Sequence, residues 1–104
     1  MTGSFVLVHL CAPREKFWGL LEQRDASGVV VRGLAVEGFE DWVREINRED
    51  TPSFSPSTVF FPIQRIERIS LDETIGEAVS LADRFRRTVG KDPRAYLAPE
   101  MPED

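Results

Sequence analysis

Histidine and cysteine each occur once in this 104-residue chain, and they stand two apart, at His9 and Cys11. On a strand that spacing puts both side chains on one face. A thiolate beside an imidazole could act as a nucleophile with its base. No third polar group stands near them in the sequence, so a core-lining thiol and a hydrogen-bonded imidazole is the simpler reading. Zinc wants about four ligands, and one His with one Cys does not supply them. The acids Glu37, Glu40, Asp41, Glu45, Glu49 and Asp50 could pair for proton transfer or hold a divalent cation, but they lack the spacing of a calcium loop and read as a solvated helix face. Neither a Gly-rich phosphate loop nor a nucleophile elbow occurs. The expectation is a protein with no catalytic residue, no metal site and no cofactor.

Two other stretches suit recognition rather than reaction. Arg84, Arg86, Arg87, Lys91 and Arg94 form the main basic run, able to contact RNA phosphates or another anion. The same bases would also complement a helix C-terminus and pair with acids elsewhere. Arg14-Glu15-Lys16-Phe17-Trp18 is a charged turn leading into two aromatics. Arg14, Lys16 and Trp18 could dock a partner or stack a base, or the rings could fill the end of a core.

Short strands joined by tight turns must position these groups. Phe5–Cys11 is apolar and valine-rich, a strand buried on both faces. Pro13 ends it in a turn over Ala12–Glu15. Lys16–Arg24 and Val29–Leu34 read as a hairpin about Asp25–Gly28, where Asp bonds its own backbone and Gly takes a positive φ. Gly19 and Gly33 interrupt those strands and imply close backbone approach or strong bending. The period then changes: Phe39, Trp42, Val43 and Ile46 make one stripe of a helix over Gly38–Glu49, with Glu40 and Asp41 in its first turn. Thr51–Ser57 is a loop. Thr58–Pro62 and Arg65–Leu71 are the fourth and fifth strands, with a kink near Ile66 because Ile69 and Leu71 share a face that Ile66 does not. A second helix follows Ser80, its N-cap, with Asp83 completing a capping box and Gly90 closing the C-terminus. Ala95–Asp104, with two prolines and three acids, reads as a flexible acidic tail beyond a single domain over residues 1–94.

Composition narrows the function classes. Hydrophobic residues make up 41% and charged residues 30%, as in an ordinary globular domain. A chain of this length buries roughly 65% of its unfolded surface, enough for a core. Net charge −5 argues against non-specific nucleic-acid binding. The charge is uneven: residues 36–57 hold six acids and two bases, residues 83–94 five bases and two acids, so these segments should attract each other. The lone cysteine allows no internal disulfide. With neither a secretory leader nor a membrane span in the sequence, a cytoplasmic location without membrane contact is expected.

Within this element order, Gly19-x-Leu21-x-x-x-Asp25 resembles the first half of the first Sm motif of the Sm-like (Hfq-type) proteins. Val59-Phe60-Phe61-Pro62 followed by Ile66-x-x-Ile69-x-Leu71 resembles the region of the second motif. The resemblance covers about residues 5–71. It implies a small, strongly bent five-stranded barrel of the Sm-like or SH3-like kind, here with a helical insert over one end between strands three and four and a C-terminal helix outside. PRC-like and other SH3-like barrels share that order. The family's uridine pocket is not retained: Ser27-Gly28-Val29 and Phe61-Pro62-Ile63 stand where its Asn and Arg-Gly would be, and its bacterial Tyr-Lys-His run is missing. Four residues precede Phe5, where the family carries a helix. Sm-like subunits pair strand four of one with strand five of the next. The resemblance therefore implies a homo-oligomer joined through Thr58, Val59, Phe60 and Phe61 on one edge and Arg65 and Glu67 on the other. The expected function is a non-catalytic binding or assembly module with a second copy or another protein as partner. An RNA-binding protein using the basic C-terminal helix and exposed aromatics is the alternative.

Overall fold

The computed structural model describes residues 2–48 and 55–97. Five strands, β1 (Phe5–Leu10), β2 (Glu15–Asp25), β3 (Gly28–Ala35), β4 (Ser57–Pro62) and β5 (Ile66–Leu71), form one antiparallel sheet in the order β4-β3-β2-β1-β5. Helix α1 (Phe39–Asn47) lies between β3 and β4 in the chain, while α2 (Leu81–Val89) and the short α3 (Arg94–Leu97) follow β5. The strands fall within a residue of their expected bounds because each carries its own turn chemistry. Asp25 Oδ1 accepts from Ser27 N at 2.8 Å and from Ser27 Oγ at 2.6 Å, the turn that Asp-x-Ser-Gly encodes. Gly19 and Gly33 sit directly opposite each other, and a Cβ on either would collide with the backbone of the neighbouring strand.

The sheet's two faces carry separate cores. On the inner face, Val6, Val8, Leu10, Leu21, Val29, Val31 and Phe61 are buried, with Phe17 edge-on to Phe61 at 5.1 Å. The opposite, outer face carries Phe5, Trp18 and Leu34, covered by Phe39, Trp42 and Val43 of α1 and by Ala82 and Phe85 of α2. Trp18 meets Phe39 edge-on at 5.1 Å, and Trp42 meets Phe85 at 5.1 Å. Each such ring pair adds roughly 0.5–1.5 kcal/mol beyond area burial. The helix stripe Phe39–Trp42–Val43 therefore docks as its spacing requires, but on the outer face rather than over a barrel end.

One short link curls the sheet. β4 and β5 are its two edges, separated by four strand spacings of about 4.8 Å, roughly 19 Å if flat. Only a 3-10 turn, Ile63–Arg65, joins them. A segment that short reaches at most about 14 Å even when extended, and a 3-10 turn reaches less. The sheet must therefore roll around its inner core. The roll does not close, because β4 pairs only with β3 and β5 only with β1 among the described residues. This corrects the expected barrel: the molecule is a curled open sheet. The expected kink is a register shift between His9 and Leu10, which brings Ile66 back to the inner face beside Ile69.

At the other end of β5, Asp72 anchors α2. Its Oδ1 accepts from Leu81 N, and its Oδ2 from Ala82 N and from the buried Trp18 Nε1, each at 2.9 Å. Ser80 caps as expected, accepting from Asp83 N at 3.0 Å, and Gly90 ends the helix at φ 82°. The second half of the capping box is replaced by Thr74, whose hydroxyl donates to Asp83 Oδ2 and accepts from Ser80 N. The tail also starts later than expected. Leu97 is fully buried, Tyr96 meets Phe85 at 5.4 Å, and Arg32 Nε donates to the Leu97 carbonyl, so residues 95–97 belong to the folded body. Residues 98–104 of the expected tail lie outside the described residues, as do Glu49 at the end of the expected first helix and residues 51–54 of the expected loop.

Candidate functional site

The rolled, open sheet leaves two strand edges, and hydrogen-bond parity shows which groups each presents. In an antiparallel ladder, alternate residues bond to the neighbour and the ones between point away. Ile63 N donates to Ser27 O at 2.8 Å, which sets Phe61, Val59 and Ser57 as the β4 residues bonded to β3. The N–H groups of Thr58 and Phe60 therefore point outward, and Pro62 has none to offer. On the other edge, Asp72 N donates to Phe5 O at 2.9 Å, so Ser70 and Arg68 bond to β1 while Ile69 and Leu71 point their backbone outward. Apolar side chains flank both edges: Phe60 is 51% exposed, Ile63 51% and Leu71 44%. Unpaired edges of this kind are templates for another strand.

Of the residues expected at these edges, Thr58, Val59, Phe60 and Phe61 form β4, with Val59 and Phe61 turned into the inner core. Arg65 is corrected. It lies in the 3-10 turn, donating from Nε to Cys11 O at 3.2 Å and from Nη2 to Pro13 O at 2.9 Å, with Glu15 at 3.6 Å. It clamps the β4–β5 link onto the β1–β2 turn. Glu67 is exposed at the register shift of β5.

The basic run is largely consumed within the fold. Arg84 pairs with Glu40 of α1, the attraction expected from the charge asymmetry. Arg86 bonds Asp83 at 2.8 Å and Asp92 at 3.4 Å. Arg94 donates to Gly3 O at 3.0 Å and lies over the Phe5 ring at 4.6 Å. Hydrogen bonds hold two carboxyls of this region below their ordinary range, Asp83 chiefly through Thr74 and Asp92 chiefly through the Arg94 N–H. Arg87 and Lys91 are exposed and have no such partner among the described residues. These five bases therefore do not form one free patch.

The docking trio is also divided. Trp18 is fully buried beneath α1, with its indole N–H on Asp72, and so cannot meet a partner. Arg14 and Lys16 are exposed, and with Val36 and Glu37 they line one depression. His9 and Cys11 have separate partners: His9 Nε2 lies 3.3 Å from Ser70 Oγ, and Cys11 Sγ donates to the carbonyls of Gln64 and Arg65 at 3.7 and 3.6 Å. The thiolate–imidazole pair is not assembled. Among the described residues no three His, Cys, Asp or Glu side chains converge as a metal site would need. No helix among those residues is long and apolar enough to cross a membrane.

Sequence reasoning missed Asp72, Thr74 and the row Lys16–His9–Arg68, in which the three residues are direct cross-strand partners. No local pattern marks them, since each meets its partners only through strand pairing or helix docking. No protein-family model matches the chain, and neither a curated protein nor a solved structure does.

Proposed function

We propose that this protein is a non-catalytic assembly module related to the Sm-like or SH3-like folds but with an open, curled sheet, which self-associates through its strand edges. One observation carries the reading: among the described residues β4 and β5 are both unpaired on their outer sides, and each presents two outward backbone donors beside an exposed apolar side chain. Joining β4 of one copy to β5 of the next would satisfy both edges with the chemistry that already holds the sheet together. Helix α1 packs with α2 on Phe5, Trp18 and Leu34 of the outer face. RNA binding through the C-terminal helix is the weaker alternative, because its free bases reduce to Arg87 and Lys91 while net charge is −5.

Light scattering across micromolar concentrations tests the assembly. The expected mass is a multiple of 11.8 kDa that falls on dilution. Phe60→Pro removes an outward donor and leaves the β3–β4 ladder intact, so it should give a folded monomer. A constant 11.8 kDa for the unaltered chain refutes the proposal.

A further inference from the structure

The outer face of β2, β1 and β5 carries a row of basic residues that the edge chemistry does not use. His9 stands directly opposite Lys16 on one side and Arg68 on the other. Directly opposed residues project to the same face, with Cβ atoms about 4.5–5.5 Å apart. Ser4 O accepts from Leu21 N, and by the same parity His9 and Lys16 are a non-hydrogen-bonded pair, the kind whose side chains approach more closely. Arg14 shares the depression they line. His9 thus stands between two fixed positive charges, Lys16 on one neighbouring strand and Arg68 on the other, and an anion seated over the imidazole would lie within reach of both.

Two acids, Glu15 and Glu67, line the same depression. Glu15 is drawn to Arg65 at 3.6 Å, and Glu67 lies on β5 beside Arg68. Lys16, Arg68 and Arg14 have no acid partner among the described residues, in contrast with Arg84, Arg86 and Arg94. The imidazole sits between them with its Nε2 beside the Ser70 hydroxyl. Partial burial first, then Arg68 and Lys16, holds its pKa below the ordinary value, and Glu67 opposes this weakly.

We propose that Lys16, His9 and Arg68, with Arg14 and the Ser70 hydroxyl, bind a phosphate dianion, either free or as a phosphate monoester. Two fixed cations supply charge, Ser70 supplies a donor, and the imidazole joins as a third cation once the anion is present. Binding is therefore proton-linked: His9 takes up a proton as the dianion binds, so affinity for the dianion itself rises as pH falls through the bound-state pKa of His9. Protonation of the phosphate, with a second pKa of about 6 for a monoester, opposes this at lower pH.

The chain has one histidine, so its imidazole signal in a proton NMR titration reports this site alone. The titration is run on the intact protein in inorganic phosphate, glycerol 2-phosphate, dimethyl phosphate and sodium chloride, all at matched ionic strength. Phosphate is expected to raise the His9 pKa by about one unit over chloride. Lys16→Gln and Arg68→Gln, both at exposed positions, should each raise the pKa in chloride by removing a like charge, and should shrink the phosphate response. A response to glycerol 2-phosphate as well assigns the site to monoesters; a response to free phosphate alone assigns it to the inorganic ion. A phosphate effect no larger than that of chloride overturns the proposal. So does an unchanged phosphate response in the two variants. An equal response to dimethyl phosphate overturns the dianion assignment and points to a nucleic-acid backbone.

Discussion

At the residue scale, Asp72 joins the sheet to the helices. One carboxylate takes both leading N–H groups of α2 and the indole N–H of Trp18, at the point where β5 ends. Asp72→Ala leaves the buried indole N–H without an acceptor and uncaps the helix, which should cost about 2–4 kcal/mol. Urea unfolding of that variant measures it, with Trp18→Phe as a comparison that loses the N–H contact together with part of the buried ring. Titration adds a second expectation. His9 has a folded pKa below 6.5, so the folded state binds fewer protons there than the unfolded chain, and stability falls as pH drops below 6.5. Asp25, Asp83 and Asp92, also depressed in the fold, contribute stability that is present above the ordinary carboxylate value and lost as pH falls through their folded values. Unfolding measured between about pH 8 and pH 5 isolates the first window, and His9→Gln should flatten it. Little of this was legible in the sequence. Trp18 reads somewhat better as a core ring beneath the Gly38–Glu49 helix than as an exposed docking ring, and only the helix laid over it decides. Asp72 carries no local signature, since its partners lie 54 and about ten residues away.

At the element scale the sequence was far more explicit. Strand bounds follow from turn residues, and α1 and α2 follow from apolar spacing and caps, all of which are local properties. The docking site of α1 was not legible in the same way. A stripe says which face is buried but not against what, and α1 lies on the outer face because Trp18 and Leu34 provide an apolar floor there. Trp42, 1% exposed among Trp18, Phe39 and Phe85, is the test. Trp42→Ala should cost about 3–5 kcal/mol. A loss near 0.5 kcal/mol in equilibrium unfolding, the scale of a surface change, would contradict the docking.

At the scale of the whole molecule, the three-residue link between β4 and β5 determines the shape. It forces the two edge strands toward each other around the inner core yet leaves them unpaired among the described residues, so the rolled sheet ends in two open ladders. Sequence pattern could supply five strands and their order along the chain. It could not show that the roll stays open, because closure depends on how far the edges approach across the fold. Nor could it show which β4 amides face outward, since parity is set by the partner strand. That parity makes the assembly proposal testable atom by atom. Amide hydrogen exchange, followed by NMR over a concentration series, reads the Thr58, Val59, Phe60 and Phe61 donors of β4 separately. Val59 and Phe61 bond to β3 and should be protected at every concentration. The account predicts that the Thr58 and Phe60 amides gain protection as concentration rises, because another chain's strand covers them. Fast exchange of those two amides throughout the series, with Val59 and Phe61 still protected, would contradict it.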